Sequence, residues 1–136
     1  GNLSAAGVQT KQSFRQAISW YRKAVKAASN NINEASDEII NEVAWILATT
    51  SIKSLQRARY ALRIIDKRMQ DSALAREKPE FLDTWAAALA ANGQFEKAIE
   101  IQNRAISKAT EQDRDDVLQI LEKHLKSFKL NQPITE

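Results

Sequence analysis

The chain holds a single histidine, His124, and no cysteine. That composition excludes thiolate metal sites, disulfides, a cysteine nucleophile and any multi-histidine metal site. His124 stands between Lys123 and Leu125, with Asp116 and Glu122 as ordinary helix neighbours, and reads as a surface histidine rather than a catalytic base. Asp113, Asp115 and Asp116 crowd carboxylates together, but not at calcium-loop spacing. They read as a helix start, with Asp113 as the cap and the next two acids in the first turn, where the helix dipole favours negative charge. Ser13, Thr84 and Ser107 lack an identifiable partner base, and there is no glycine-rich phosphate loop. Asn2-Leu3-Ser4 fits a glycosylation acceptor by composition alone. These residues predict no enzyme, no metal and no cofactor.

The elements that would position such groups are helical throughout. Phe14, Ala17, Ile18, Tyr21, Ala24, Val25 and Ala28 recur at spacings of three and four, which predicts a helix over 13–28. Ser36 can cap a second helix carrying Ile39, Ile40, Val43, Ala44 and Leu47, which Thr49-Thr50-Ser51 breaks. Leu55, Ala58, Leu62, Ile65 and Met69 share one face of a third. Pro79 suits a first helical position, Leu82, Trp85, Ala86 and Leu89 follow, and Gly93 is placed to end that helix in a left-handed conformation. Phe95 to Ile106 marks a fifth helix, and Val117, Leu118, Leu121, Leu125 and Phe128 face inward on a sixth. No stretch alternates with period two. The predicted class is all-α.

With 136 residues, 43% of them hydrophobic, the chain suits one domain. No apolar run approaches the roughly 20 residues that span a bilayer. Gly1–Val8 lacks a basic stretch followed by an apolar one, so no secretory signal is read there. The net charge of +3 comes in alternating blocks: basic over 1–30, acidic over 31–52, basic over 53–78 and acidic over 79–116. Such blocks predict either favourable contacts between neighbouring helices or a molecule with one acidic and one basic face.

Residues 14–25 read Phe-x-x-Ala-Ile-x-x-Tyr-x-x-Ala-Val, and residues 95–106 read Phe-x-x-Ala-Ile-x-x-Gln-x-x-Ala-Ile; residues 61–69 are a degenerate copy. Ala17 and Ala98 let a neighbouring helix approach closely. With Gly93 in its turn, the stretch from Pro79 to Thr110 resembles a tetratricopeptide repeat, a helix-turn-helix unit. Asn41 to Thr49 resembles the first helix of a preceding copy, with a longer turn around Ser51-Ile52-Lys53. Gly7-Val8 followed by Ala17-Ile-Ser-Trp-Tyr-Arg-Lys-Ala24 looks like the related Sel-one-like repeat. The resemblance implies a right-handed α-solenoid of antiparallel helix pairs in a single domain over 1–136. Its repeats fall at about 3–30, 36–71 and 79–110, with a capping helix at 113–129 and a tail at 130–136. The short first repeat reads as the end of a longer array.

In that family the first helix of each repeat lines a concave surface that binds peptides. The matching positions are Glu38, Asn41, Trp45, Thr49, Glu80, Asp83, Thr84, Ala87 and Ala91. The lysine, asparagine and arginine clamp by which one subclass holds chaperone C-termini has no counterpart, since Asn41, Trp45, Glu80 and Thr84 stand there. The resemblance thus implies a protein-interaction scaffold whose acidic groove takes a basic or neutral peptide, with Trp45 either an exposed anchor or a packed side chain. Two alternatives stay open. Arg57, Arg59, Arg63, Lys67 and Arg68 could contact nucleic acid or an anionic surface, and exposed array ends could stack into a homo-oligomer.

Overall fold

A computed structural model describes residues 31–136 and, before them, Arg15, Gln16, Ser19 and Arg22, which are helical. The rest of the helix expected over 13–28, the repeat at 3–30, the Sel-one-like phrase, Asn2 and Ser13 lie outside the described residues. The chain divides into two compact units, Gly1–Ala35 and Ser36–Glu136. In the first, Asn31 Oδ1 accepts from the Asn33 amide at 3.2 Å and starts a 3-10 turn at Ile32–Glu34.

The second unit is all-helical and its neighbouring helices are packed against one another. Its elements are α1 (Asp37–Thr49), α2 (Ala58–Asp71), the short α3 (Ala73–Arg76), α4 (Pro79–Ala91), α5 (Phe95–Glu111) and α6 (Asp115–Lys129). Among the described residues there is no strand. α1 packs on α2 and α4, α4 on α2, α5 and α6, and α5 on α6. The core runs through Ile40, Val43, Leu47, Ile65, Met69, Leu82, Leu121 and Phe128. Ala86, Ala98 and Ala105 are fully buried, which is how α4 and α5 come close.

Local chemistry sets most of the boundaries. Ser36 Oγ accepts from the Ile39 amide at 3.3 Å, and Pro79 opens α4. Gly93, at φ 77°, ends α4: its amide reaches Ala90 O (2.9 Å) and the Gln94 amide reaches Leu89 O (2.9 Å). That is a Schellman closure, which needs a left-handed residue. Asp113 corrects the sequence reading. It sits at φ 55° as the left-handed residue that closes α5, with its amide on Thr110 O and the Arg114 amide on Ala109 O (2.8 Å). The cap position of α6 falls to Arg114, which makes no side-chain capping bond. The connection is short, and the chain can close one helix and open the next only by turning left-handed at 113. Asn131 (φ 56°) closes α6 the same way.

α2 begins at Ala58, not at Leu55, which lies in a 3-10 turn (Lys53–Leu55). The Arg57 amide donates to Leu47 O at 3.1 Å and the Gln56 side chain to Thr50 O at 2.8 Å. These bonds hold the residues before Ala58 out of helical geometry and form the longer turn expected around Ser51-Ile52-Lys53.

The charge blocks meet across element boundaries. Arg68 bonds Asp37 at 2.8 Å, Lys78 bonds Glu38 at 3.1 Å, Lys108 bonds Glu77 at 2.9 Å and Arg114 bonds Glu80 at 3.3 Å. Two of these pairs, Arg68–Asp37 and Lys78–Glu38, join the basic 53–78 block to the acidic 31–52 block; the other two run outside the block pattern.

Candidate partner-binding face

α1 and α4 lie side by side and bring the expected lining residues into one region, but at different depths. Glu38 and Glu80 are exposed, and Asn41, Trp45 and Ala91 are half-buried. Thr49, Asp83, Thr84 and Ala87 are buried, so their side chains do not line an open groove. The Thr49 and Thr84 hydroxyls turn back onto their own helix, donating to Trp45 O (2.7 Å) and Glu80 O (3.1 Å). Ala87 is too small to emerge between packed helices.

Asp83 is buried because α6 covers it. Its Oδ1 accepts from Gln102 Nε2 and from His124 Nδ1, both at 2.9 Å. Gln102 also donates to Leu121 O at 2.9 Å and is wholly buried. An ionised carboxylate only accepts, so Nδ1 carries the hydrogen in this contact. The same logic orients the Gln102 amide: both neighbours are acceptors, which leaves Oε1 without a partner. His124 is 6% exposed, a correction to its reading as a surface residue. The spacing Leu121, His124, Phe128 carries the signal, since it places His124 on the inward stripe of α6. Gln102 was legible too: it stands where the matching copy at 14–25 has Tyr21.

Trp45 closes this cluster from α1. Its ring lies 5.6 Å from that of His124, tilted by 36°. Its indole Nε1 donates to Glu136 Oε2 at 3.1 Å. Glu136, which sequence reasoning missed, also joins the end of α1 through its main chain: its amide donates to Thr49 O (2.7 Å) and its main-chain oxygen accepts from Ser51 N (2.9 Å). Glu136 thus docks against the end of α1 beside Trp45.

The acidic edge of this face is already neutralised. The Glu38 carboxyl is held below its ordinary range, first by its own main-chain amide and then by Lys78. Asp37 is also held low: burial opposes its charge, but hydrogen bonds from Arg68 and Ser72 (2.8 Å) outweigh that. Arg114 bonds Asp116 in a bidentate grip at 3.0 Å, which raises its pKa and lowers that of Asp116; Glu80 adds its charge.

On another side, Arg59, Arg63, Asn92, Gln94 and Lys97 surround an open cleft of about 570 Å³ between α2 and the α4–α5 turn. Arg63 lies over Tyr60 at 5.2 Å, whereas Arg68 is drawn away to Asp37 and Lys67 to Asp71. Arg57, Arg59 and Arg63 still line one cleft together, while Lys67 and Arg68 are paired elsewhere.

Among the described residues, no group of three histidines, cysteines or carboxylates could hold a metal ion. No described helix is long and apolar enough to cross a membrane. The chain matches no protein-family model, no curated protein and no solved structure. What it does has to be read from its own geometry.

Proposed function

We propose that this protein is a non-catalytic interaction scaffold, built as a tetratricopeptide-like solenoid, whose α1–α4 face binds a peptide or protein partner in extended form. One observation carries the reading: Glu136 is held at the end of α1 by two main-chain hydrogen bonds and by the Trp45 indole. Main-chain bonds give such a surface affinity with little demand on sequence, and a half-buried aromatic gives it an anchor.

A catalytic role for the Asp83–His124 pair is disfavoured by its setting. A histidine oriented by a carboxylate serves as a base only when its other nitrogen meets a nucleophile. His124 Nε2 meets no hydroxyl among the described residues, and Trp45 lies against the ring. The pair joins α4 to α6 instead. The partner need not be basic, because Lys78 and Arg114 occupy the acids at the edge.

The test is affinity capture from source-cell extract with three baits: wild type, Trp45→Ala and Arg59→Glu. The expected result is a protein retained by wild type and Arg59→Glu and lost with Trp45→Ala, circular dichroism showing all three folded. Loss with Arg59→Glu alone, steeply dependent on salt, would refute the reading and move function to the basic cleft.

A further inference from the structure

Three of the helices close their last carbonyls on themselves: α4 at Gly93, α5 at Asp113 and α6 at Asn131. α1 does not. Its cap residue Thr50 is extended (ψ 136°). Leu47 O is taken by the Arg57 amide, but Thr49 O and the Ser51 amide find their partners on Glu136. Residue 136 thereby stands opposite Thr50 as one rung of a parallel β-pair, bracketed by 49 and 51. Its side chain reaches the Trp45 indole. The end of α1 therefore presents one main-chain acceptor, one main-chain donor and one indole N–H. An indole N–H only donates, so the side chain it meets must be an acceptor.

We propose that the end of α1 is a docking site for an extended peptide bearing a glutamate. Glu136 occupies it as an internal ligand, which that peptide has to displace. This rests on reading the α1–α4 face as a peptide-binding surface and adds the chemistry of what binds. The ligand residue must keep its N–H, so proline is excluded, and must carry an acceptor long enough to reach Trp45. Exchange is feasible because the hold is slight. Three hydrogen bonds on an exposed residue are set against the entropy of ordering a short stretch of chain, and these terms are of similar size.

The test uses the Trp45 indole N–H resonance, assigned through Trp45→Phe. Glu136→Pro removes both the amide donor and the carboxylate at an exposed position; Glu136→Gln keeps both an amide and an acceptor. The probe is a synthetic peptide of residues 129–136. The resonance should move in Glu136→Pro and stay close to its wild-type position in Glu136→Gln. Millimolar peptide should return it in Glu136→Pro, while the same peptide carrying Glu136→Lys should not.

An unchanged resonance in Glu136→Pro, or one that the peptide fails to restore, would overturn the proposal. So would a concentration-dependent wild-type mass of two chains that Glu136→Pro abolishes, which would assign the site to exchange between copies. The two readings fail separately. A peptide response with no partner captured from extract sinks the scaffold reading alone. Trp45-dependent capture without a peptide response sinks this inference alone.

Discussion

Removing the Asp83 carboxylate tests whether the cluster between α4 and α6 holds the fold together. In Asp83→Ala the His124 Nδ1–H loses its acceptor in a site that is 6% exposed, and Gln102 Nε2 keeps only Leu121 O. An orphaned buried donor costs about 1–3 kcal/mol, and a hydrogen bond to a charged acceptor is worth about 1.5–3 kcal/mol. The two figures describe the same loss from its two sides and put it at up to about 3 kcal/mol, a large share of the roughly 5–15 kcal/mol that stabilises a domain. For a unit of this size that lowers Tm by roughly 10–20 °C. Urea unfolding followed by circular dichroism gives the value directly. Pairing the change with His124→Leu should recover part of the loss, because the His124 donor is then no longer stranded. The double-mutant cycle should show a coupling of at least about 1 kcal/mol. An Asp83→Ala protein within about 0.5 kcal/mol of wild type would sit in the range of an ordinary surface change and refute the reasoning. The same geometry bears on binding assays. Asp83→Lys, the change an open acidic groove would invite, puts a second cation-forming group against His124 in a packed site. It should unfold the protein rather than probe its surface.

The other predictions are more local. Gly93→Ala meets nothing within 4 Å, so its cost is the left-handed backbone alone, about 1–2 kcal/mol, readable in a urea melt. Asp113→Gly should be neutral or stabilising by up to about 1 kcal/mol, because the same closure at Gly93 uses the residue without that penalty; clear destabilisation would argue that the Asp113 side chain matters. The Asp37 carboxyl is held below its ordinary 3.8, so its pairing with Arg68 stabilises the fold above that pH and is lost as pH falls through the lowered value. Urea midpoints should therefore drop below about pH 4 in wild type and less so in Asp37→Asn. Phe128→Ala, at a fully buried position, should cost about 3–5 kcal/mol and abolish cooperative melting of the unit if α6 is part of its core.

Local signals carried far in this chain. Ser36, Pro79 and Gly93 act where their backbone chemistry requires, and the three-and-four spacing of apolar residues locates α1, α2, α4, α5 and α6 within a few positions. These outcomes depend on the conformational preferences of single residues and on one face of one helix, which a linear pattern encodes. The start of α2 and the role of Asp113 were misplaced because a main-chain bond to Leu47 and the closure of the preceding helix compete for the same residues. Such competition is settled between elements.

The tertiary structure alone decided which polar residues are surface and which are core. Asp83 and His124 are 41 positions apart and meet only because α6 lies across α4. Glu136 and Trp45 are 91 apart and meet only because the chain beyond α6 turns back at Asn131. A polar side chain has no fixed depth of its own. It is buried when a distant element supplies its hydrogen-bond partner, and no local pattern contains that partner. Composition and periodicity therefore determined an all-helical chain with no cysteine chemistry. Only packing turned four of the nine expected lining residues into core and set the Glu136 carboxylate against the indole of Trp45.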